Sequence, residues 1–369
     1  MKIECLVEKL LSIVAKAEKV SGKNLSLPVL SSIVFDVGKS SITVRATNLE
    51  TGLEAELPAR VAEGHGSRFA LPAGTIVQFL SNLNKDASVV LELKGKNIKI
   101  SSGETEAEIN TVECQDFPNI QKLKKGRSAG VRAGDLAKGI KSVVFSASTS
   151  SIKPELSSVY VFSDNGNLVF VSTDSFRLAE KKVKAPGAPS GLSAIIPAKN
   201  ATDVSRLIED YGDEDVEVVF EKNQIAFFCG SVYLVSRIVE GSFPDYKQIV
   251  PKDGKTTITV LRDDFTKAVR TITAFSDSSN QIYFKISPIK KNFEIFSKNA
   301  SVGSGAFRVK GAMEGDEVEI SFNHRYINDS LQVIGQDSIS LFLNGHGKPM
   351  IMRGVSDSTF MYLVMPMNK

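Results

Sequence analysis

The sequence predicts an α+β chain of three similar domains, each with two helices packed on antiparallel strands. Three observations predict it: an internal repeat, short alternating segments bounded by turn residues, and a few apolar stripes at helical spacing. Leu30-Ser31-Ser32-Ile33 returns as Leu156-Ser157-Ser158-Val159, Thr47-Asn48 as Thr173-Asp174, and Phe117-Pro118-Asn119 as Phe243-Pro244-Asp245, all at a spacing of about 126 residues. Leu71-Pro72 is echoed by Ile196-Pro197 at nearly the same spacing. A chain of 369 residues holds about three such periods. Repeated units usually present a repeated surface to a large, regular partner rather than a single catalytic pocket.

The first unit opens with a short strand and then a helix over Val7 to Lys19, where Leu10, Leu11, Val14 and Ala17 recur at helical spacing. Ser32 to Asp36, Ser41 to Ala46 and Gly52 to Leu57 alternate and are bounded by Gly, Ser, Asn or Pro, the pattern of antiparallel strands. Val37-Gly38-Lys39-Ser40 reads as a hairpin turn between two of them. Pro72 signals a second helix, as the first helical residue, because its missing N–H is not needed there. Ile76, Val77, Phe79, Leu80 and Leu83 supply its apolar stripe. Strands near Ser88 to Leu93, Asn97 to Ser101 and Thr105 to Thr111 complete a unit that is itself a pair of strand–helix–three-strand halves.

The second unit starts near Gly130, with Leu136 and Ile140 on its first helix and a second helix after Pro197 bearing Val204, Leu207 and Ile208. The third starts near Thr256, with Phe265 and Val269 on its first helix and a second helix over Asn323 to Ile334. Gln121 to Ser128 and Val250 to Lys255 read as short linkers. The expected domains are 1–122, 128–250 and 255–369.

Composition excludes several classes. With 42% apolar and 24% charged residues the chain is that of an ordinary globular protein. Cys5, Cys114 and Cys229 are odd in number and form no C-x-x-C pair, which supports neither a disulfide scaffold nor a zinc site. Met1-Lys2-Ile3-Glu4-Cys5 lacks the apolar core of a signal peptide, and no run of 18 apolar residues exists, so a cytosolic location is expected. The net charge of +3 permits an anionic partner but lacks the excess of a dense basic face.

Active-site motifs are absent: no P-loop, no H-E-x-x-H, no G-x-S-x-G and no dinucleotide fingerprint. Gly345-His346-Gly347-Lys348 lacks the spacing of a phosphate cradle and reads as a turn. The densest polar segment is Ser172-Thr173-Asp174-Ser175-Phe176-Arg177. Thr173 beside Asp174 and Arg177 could be an oriented nucleophile. Alternatively it is a strand-to-turn junction in which Asp174 bonds the backbone and Arg177 reaches a neighbouring carbonyl. Thr47-Asn48 at the equivalent place favours the junction. A protein-binding repeat scaffold is a further reading.

The end of the chain is apolar where termini are normally polar. Tyr362 to Val364 read as a buried strand, which Pro366 ends; Met365-Pro366-Met367 continue as adaptable contacts beside a groove.

Together Leu27-Pro28-Val29-Leu30, the two Phe-Pro repeats, Thr173-Asp174-x-x-Arg177-Leu178, Asn323-x-x-Tyr326 and Met365-Pro366-Met367 resemble, in order and spacing over the whole chain, the bacterial DNA sliding clamp family. These are the beta subunits of DNA polymerase III. The resemblance implies the DNA clamp fold and a ring-forming homodimer that encircles double-stranded DNA without sequence preference. It implies no enzyme activity and no cofactor. The implied partners are the replicative polymerase's catalytic subunit, a clamp loader, and repair polymerases and other proteins carrying a clamp-binding motif, in the bacterial cytoplasm on the nucleoid.

By matching position, the peptide-binding groove between the second and third domains would use Leu156, Thr173, Arg177, Leu178, Pro244, Ile249, Asn323, Tyr326, Val364, Met365, Pro366 and Met367. Leu178, Val364 and Met365 would form its apolar pocket, with Arg177 and Asn323 offering polar contacts. DNA-facing cations by the same analogy are Lys9, Lys16, Lys19, Lys23, Lys138, Lys141, Lys199, Arg206, Lys267 and Arg270. The dimer seam would join Ala107 and Ile109 of one chain to Phe275 of the other. Small polar neighbours at Thr105, Ser276 and Ser278 make this seam less apolar than an obligate interface, and a ring that opens readily is expected. The chain departs from the family where Ser175-Phe176 replaces Gly-His, Gln248 replaces Arg, Asn24-Leu25-Ser26 replaces an Arg-bearing segment, and Asn368-Lys369 replaces Arg-Leu.

Overall fold

The computed structural model describes residues 1–22, 27–123, 126–251 and 254–367. Lys23, the segment Asn24-Leu25-Ser26, parts of both expected linkers and the Asn368-Lys369 ending lie outside the described residues. Six α-helices occur among the described residues: α1 (Val7–Val20), α2 (Ala73–Ser81), α3 (Ala133–Lys141), α4 (Ala198–Ile208), α5 (Arg262–Ile272) and α6 (His324–Leu331). The chain folds as two compact units. Unit one comprises 1–137 and 185–239; unit two comprises 138–184 and 240–369.

Each helix follows its apolar stripe. Val7, Leu10, Ile13, Val14, Ala17 and Val20 of α1 are buried at three- and four-residue steps, as one face of a 3.6-residue helix requires. In α5 the buried set is Phe265, Ala268, Val269 and Ile272. Two expectations change here. Pro72 and Pro197 are not first helical residues: each ends a strand in extended geometry (ψ 122° and 133°) and serves as the N-cap. Proline's fixed φ fits an extended residue as well as a helical one. Helix α6 stops at Leu331 rather than Ile334, although Ile334 stays buried. Its N-terminus is capped by Asn323, whose Oδ1 accepts from Arg325 N at 3.0 Å.

Unit one contains two antiparallel sheets. The smaller runs Arg60–Glu63, Lys2–Leu6, Ser88–Lys94, Asn97–Ser102, Thr105–Asn110. The larger runs Ser128–Arg132, Asp215–Phe220, Gln224–Cys229, Val232–Arg237, Thr51–Pro58, Ser41–Thr47, Ser32–Val37, Arg68–Pro72. It is continuous because Val232 pairs with Ala55 and Ser236 with Thr51, a register that joins the first and second sequence repeats.

Unit two contains an antiparallel run of Ser158–Asp164, Asn167–Thr173, Arg177–Lys184, Phe360–Val364, Met350–Gly354, Ser338–Leu343, Thr256–Leu261, Gly311–Gly315. A four-stranded sheet runs Gly303–Val309, Asn292–Asn299, Gln281–Ser287, Val318–Asn323. Here Arg177 pairs with Val364 and Leu178 with Leu363, so the end of the chain repeats the joining device of unit one. The edge strand Gly311–Gly315 depends on glycine: a Cβ at Gly311 or Gly315 would overlap the backbone of Thr259 or Lys255.

Candidate functional site

The strands Asn167–Thr173 and Arg177–Lys184 meet at a turn that bonds to itself. The Thr173 hydroxyl donates to Arg177 O at 2.6 Å, and Ser175 N donates to Thr173 Oγ1 at 3.1 Å. Asp174 Oδ1 accepts from the backbone N–H of Phe176 and of Arg177, both at 3.0 Å. Ser175 takes the left-handed conformation at φ 78°. The result throws Phe176 outward, 62% exposed, and folds Arg177 inward.

Arg177 does not reach a carbonyl, as the sequence led one to expect, but two carboxylates. Its Nε donates to Asp174 Oδ2 at 2.9 Å and its Nη1 to Asp329 Oδ2 at 2.5 Å. The guanidinium lies 4.4 Å above the Tyr326 ring and 5.8 Å from that of Phe145. Burial works against its charge, but the Asp329 hydrogen bond and the nearby charges more than offset this and raise its pKa. Thr173, Asp174 and Arg177 are thus spent on a turn and a clamp, not on an activated nucleophile.

The end of the chain runs along this turn. Met365 N donates to Phe176 O at 2.8 Å, and Met367 N donates to Ser321 O at 2.9 Å. The Ser321 hydroxyl donates to Met367 O at 3.2 Å. Tyr362 is buried beneath, its hydroxyl donating to Tyr326 O at 2.9 Å.

Two of the expected pocket residues lie deep. Leu178 and Val364 are 1% and 0% exposed, so they form the floor rather than the surface. Both lie on interior strands of the sheet. Leu178 belongs to a cluster with Val169, Val171, Tyr246, Ile351, Met361 and Leu363, onto which Met365 and Val250 pack. Met365 is the apolar residue that remains accessible. It lines a cavity of about 610 Å3 with Gln248, Ile249, Val250, Pro251, Lys255, Asn344, Gly347, Lys348 and Pro349. The Asn323 side-chain oxygen and the Arg177 guanidinium are already engaged, which narrows what they can offer a ligand.

Of the other groove residues, Leu156 and Thr173 are buried, Tyr326, Pro366 and Met367 half-buried, and Pro244 and Ile249 exposed. Reading the sequence missed Asp329, the Tyr246 hydroxyl donating to Glu180 Oε2 at 2.5 Å, and the Asn344–Pro349 side of the cavity. Only the glycine-rich Gly345-x-Gly347 turn marked that side beforehand.

The cations sort by helix. Lys9 and Lys19 on α1, Lys138 and Lys141 on α3, Lys199 and Arg206 on α4, and Lys267 and Arg270 on α5 are exposed. Lys16 is not: it is buried, donates to Asp210 Oδ2 at 3.1 Å and lies 5.0 Å over the Tyr211 ring. Its long stem lets a lysine sit on the apolar stripe. On the expected seam, Ile109 is 6% exposed and already belongs to its own sheet, whereas Ala107 and Phe275 are half-buried. Thr105–Asn110 and Gly303–Val309 are both edge strands.

Among the described residues no cluster of His, Cys, Asp and Glu could hold a metal, and no helix is long and apolar enough to cross a membrane. Burial pushes the Cys5 thiol up to about 12 and that of Cys229 to about 11, which disfavours the reactive thiolate.

Three family models match in order: the N-terminal domain of the DNA polymerase III beta subunit over residues 1–121, its central domain over 131–245 and its C-terminal domain over 247–368. The beta sliding clamp of Synechococcus elongatus is 26% identical and that of Bacillus subtilis 25%, each alignment covering 99% of both chains. Among solved structures, the DNA polymerase III beta subunit of Thermotoga maritima is 25% identical with a TM-score of 0.93, over 100% of this chain and 99% of that one. The subunit of Pseudomonas aeruginosa shares the fold with the same TM-score at 22% identity, over 100% of both chains. From its first residues to its last described ones, the chain belongs to the bacterial DNA polymerase III beta subunit family, the beta sliding clamps.

Proposed function

We propose that this chain is a processivity factor of DNA replication: two copies close into a ring around duplex DNA and tether the replicative polymerase by a short peptide tail. The observation that carries the reading is the end-to-end match of all three family domains, in order, on one chain. The chain works as three domains, 1–122, 128–250 and 255–369. A clamp acts by topology, so it needs no catalytic chemistry, and the commitment of Thr173 and Arg177 to a turn agrees with that.

A ring needs only weak, sequence-independent phosphate contacts, because tight ones would stop it sliding. The net charge of +3 and the exposed cations, two on each of α1, α3, α4 and α5, suit this. Lys9, Lys19, Lys138, Lys141, Lys199, Arg206, Lys267 and Arg270 are the DNA-facing set, with Lys23 from the sequence. The seam forms between the edge strands Thr105–Asn110 and Gly303–Val309, with Ala107 and Phe275 beside it. A clamp loader opens the ring, and repair polymerases compete for the same groove, in the cytoplasm on the nucleoid.

The groove works by anchoring. Apolar residues of the tail enter beside Met365, Pro366 and Met367, over the floor made by Leu178 and Val364, and a few buried contacts dominate affinity. The test is fluorescence anisotropy of a labelled Gln-x-x-Leu-Phe tail peptide. Saturable binding with a micromolar Kd, weakened about tenfold or more by Met365→Ala, is expected. Absence of binding by the wild-type chain would refute the groove. Ring closure is tested separately: protein loaded on a nicked circular plasmid stays until the circle is linearised.

A further inference from the structure

The repeat that builds the groove of unit two builds a counterpart within unit one, with different chemistry at its mouth. The turn Thr47–Thr51 reproduces Thr173–Arg177 bond for bond. The Thr47 hydroxyl donates to Thr51 O at 2.7 Å and Leu49 N donates to Thr47 Oγ1 at 3.1 Å. Asn48 Oδ1 accepts from Glu50 N at 3.0 Å and from Thr51 N at 2.7 Å. Leu49 is left-handed at φ 76°, beside 78° for Ser175. Val232–Arg237 pairs with Thr51–Pro58 as Phe360–Val364 pairs with Arg177–Lys184. Arg237 N donates to Glu50 O at 2.8 Å, the same bond and length as Met365 N to Phe176 O.

These correspondences put Arg237 where unit two has Met365, Gly52 where it has Leu178, and Pro118 where it has Pro244. Val235 and Ile120 close over Gly52, where a side chain would crowd them. Beside them a cavity of about 200 Å3 opens between Leu49, Pro118, Ile120 and Val235, with Glu50 and Arg237 on its rim. A second cavity of about 460 Å3 continues from it through the shared Gln121 and Gln224 to Lys222. Arg237 is exposed, and among the described residues its guanidinium has no ion pair. Glu50 is the acidic residue on the same rim and does not pair with it, so the guanidinium stays available. A hollow with apolar walls at Leu49, Pro118, Ile120 and Val235, set among polar Thr47, Asn119 and Gln121 and beside an unpaired guanidinium, complements an apolar side chain next to a carboxylate.

We propose that this groove of unit one is a second docking site, which takes a protein segment carrying an apolar side chain directly followed by acidic residues. The two grooves then read different codes: unit two is apolar at Met365, and unit one is cationic at Arg237.

The probe is a fluorescein-labelled Gly-Ser-Leu-Phe-Asp-Asp-Gly peptide, titrated by anisotropy with the full chain, with Arg237→Glu and with Met365→Ala. Because the Arg237 side chain is exposed and only its backbone is bonded, Arg237→Glu keeps the fold, which circular dichroism verifies. Saturable binding is expected, weakened at least tenfold by Arg237→Glu and unchanged by Met365→Ala. No saturable binding, or equal binding to Arg237→Glu, overturns the proposal. Loss confined to Met365→Ala overturns it by assigning the peptide to unit two. Displacement by a duplex oligonucleotide, lost in Arg237→Glu, overturns it by making Arg237 a phosphate contact.

Discussion

Arg177 and Asp329 meet at 2.5 Å although 152 residues separate them in sequence, and the same guanidinium lies 4.4 Å over Tyr326. One side chain thereby fixes the strand turn at Thr173–Arg177 against helix α6, within unit two. Arg177→Ala should cost about 2 kcal/mol of stability, since it strands Asp174 and removes the cation from the ring. Asp329→Asn, at a more exposed carboxylate, should cost about 1 kcal/mol or less. Arg177→Lys should not restore the wild-type value, because an ammonium cannot serve two carboxylates and stack as a planar fork does. A double-mutant cycle of urea midpoints checks this; additivity of Arg177→Ala and Asp329→Asn would deny the coupling.

Ser175 sits at φ 78°, where a residue with a Cβ is strained by about 1 kcal/mol. Ser175→Gly should therefore stabilise the chain by roughly 0.5 kcal/mol, the relief of strain being partly offset by the entropy glycine adds to the unfolded chain. Ser175→Val should destabilise it by more than about 1 kcal/mol, because branching at Cβ is least compatible with positive φ. Thermal midpoints in the opposite order would show that the turn is not strained.

How much of this was legible beforehand depended on the range of the interaction concerned. The turn at Thr173 and its partner at Thr47 were visible because the bonds that make them are local and the residues recur. The bond to Asp329 was not, since nothing near Asn323-x-x-Tyr326 tells which carboxylate α6 brings to Arg177. Leu178 and Val364 were assigned to the apolar pocket by resemblance, which gives a residue's place in the chain without its depth below the surface. Lys16 was counted as a DNA-facing cation by analogy, from its charge and its place on the first helix, though it lies among the buried positions of α1. The edge strands Arg60–Glu63 and Gly311–Gly315 carry no apolar alternation, and pairing at one side alone defines them.

His324 supplies a pH dependence. Burial, with a contribution from Arg325, lowers its pKa below the ordinary 6.5, and its Nε2 lies 3.2 Å from the Ser276 hydroxyl. The native state thus holds its proton less tightly than the unfolded chain does. Stability from this group is complete above about 6.5 and is lost as pH falls through the folded-state value. Melting temperature should fall between pH 6.5 and 5, and His324→Gln should flatten that slope. Glu54 and Asp357, also lowered, act nearer the carboxylate range and leave this window largely to the histidine. An identical slope in the variant would remove His324 as its source.

The expected seam carries little apolar surface to offer. Ile109 is already buried in its own sheet, and Glu104, Glu106 and Glu108 stand along the Thr105–Asn110 edge with Glu106 held by Lys99 at 2.5 Å. Charged edges resist unwanted strand pairing but also weaken the wanted one. The dimer should dissociate measurably when diluted to nanomolar concentration. Sedimentation velocity that finds only dimer under those conditions would contradict this.

The last prediction concerns the end of the chain. Beyond Val364 the backbone is held by Met365 N to Phe176 O and by the paired bonds of Met367 with Ser321, while the buried strand Phe360–Val364 is already complete. Removing Met365 to Lys369 takes away these rim bonds and the Met365 contact with the apolar cluster but leaves Leu178, Leu363 and Val364 in place. The truncated chain should stay folded, about 1–2 kcal/mol less stable from the lost thioether burial, and should lose tail-peptide binding altogether. Circular dichroism melts alongside peptide anisotropy separate the two effects. A truncated chain that fails to fold would make the tail part of the core. One that folds and still binds with unchanged Kd would move the apolar anchor away from Met365 to the Ile249 side of the cavity.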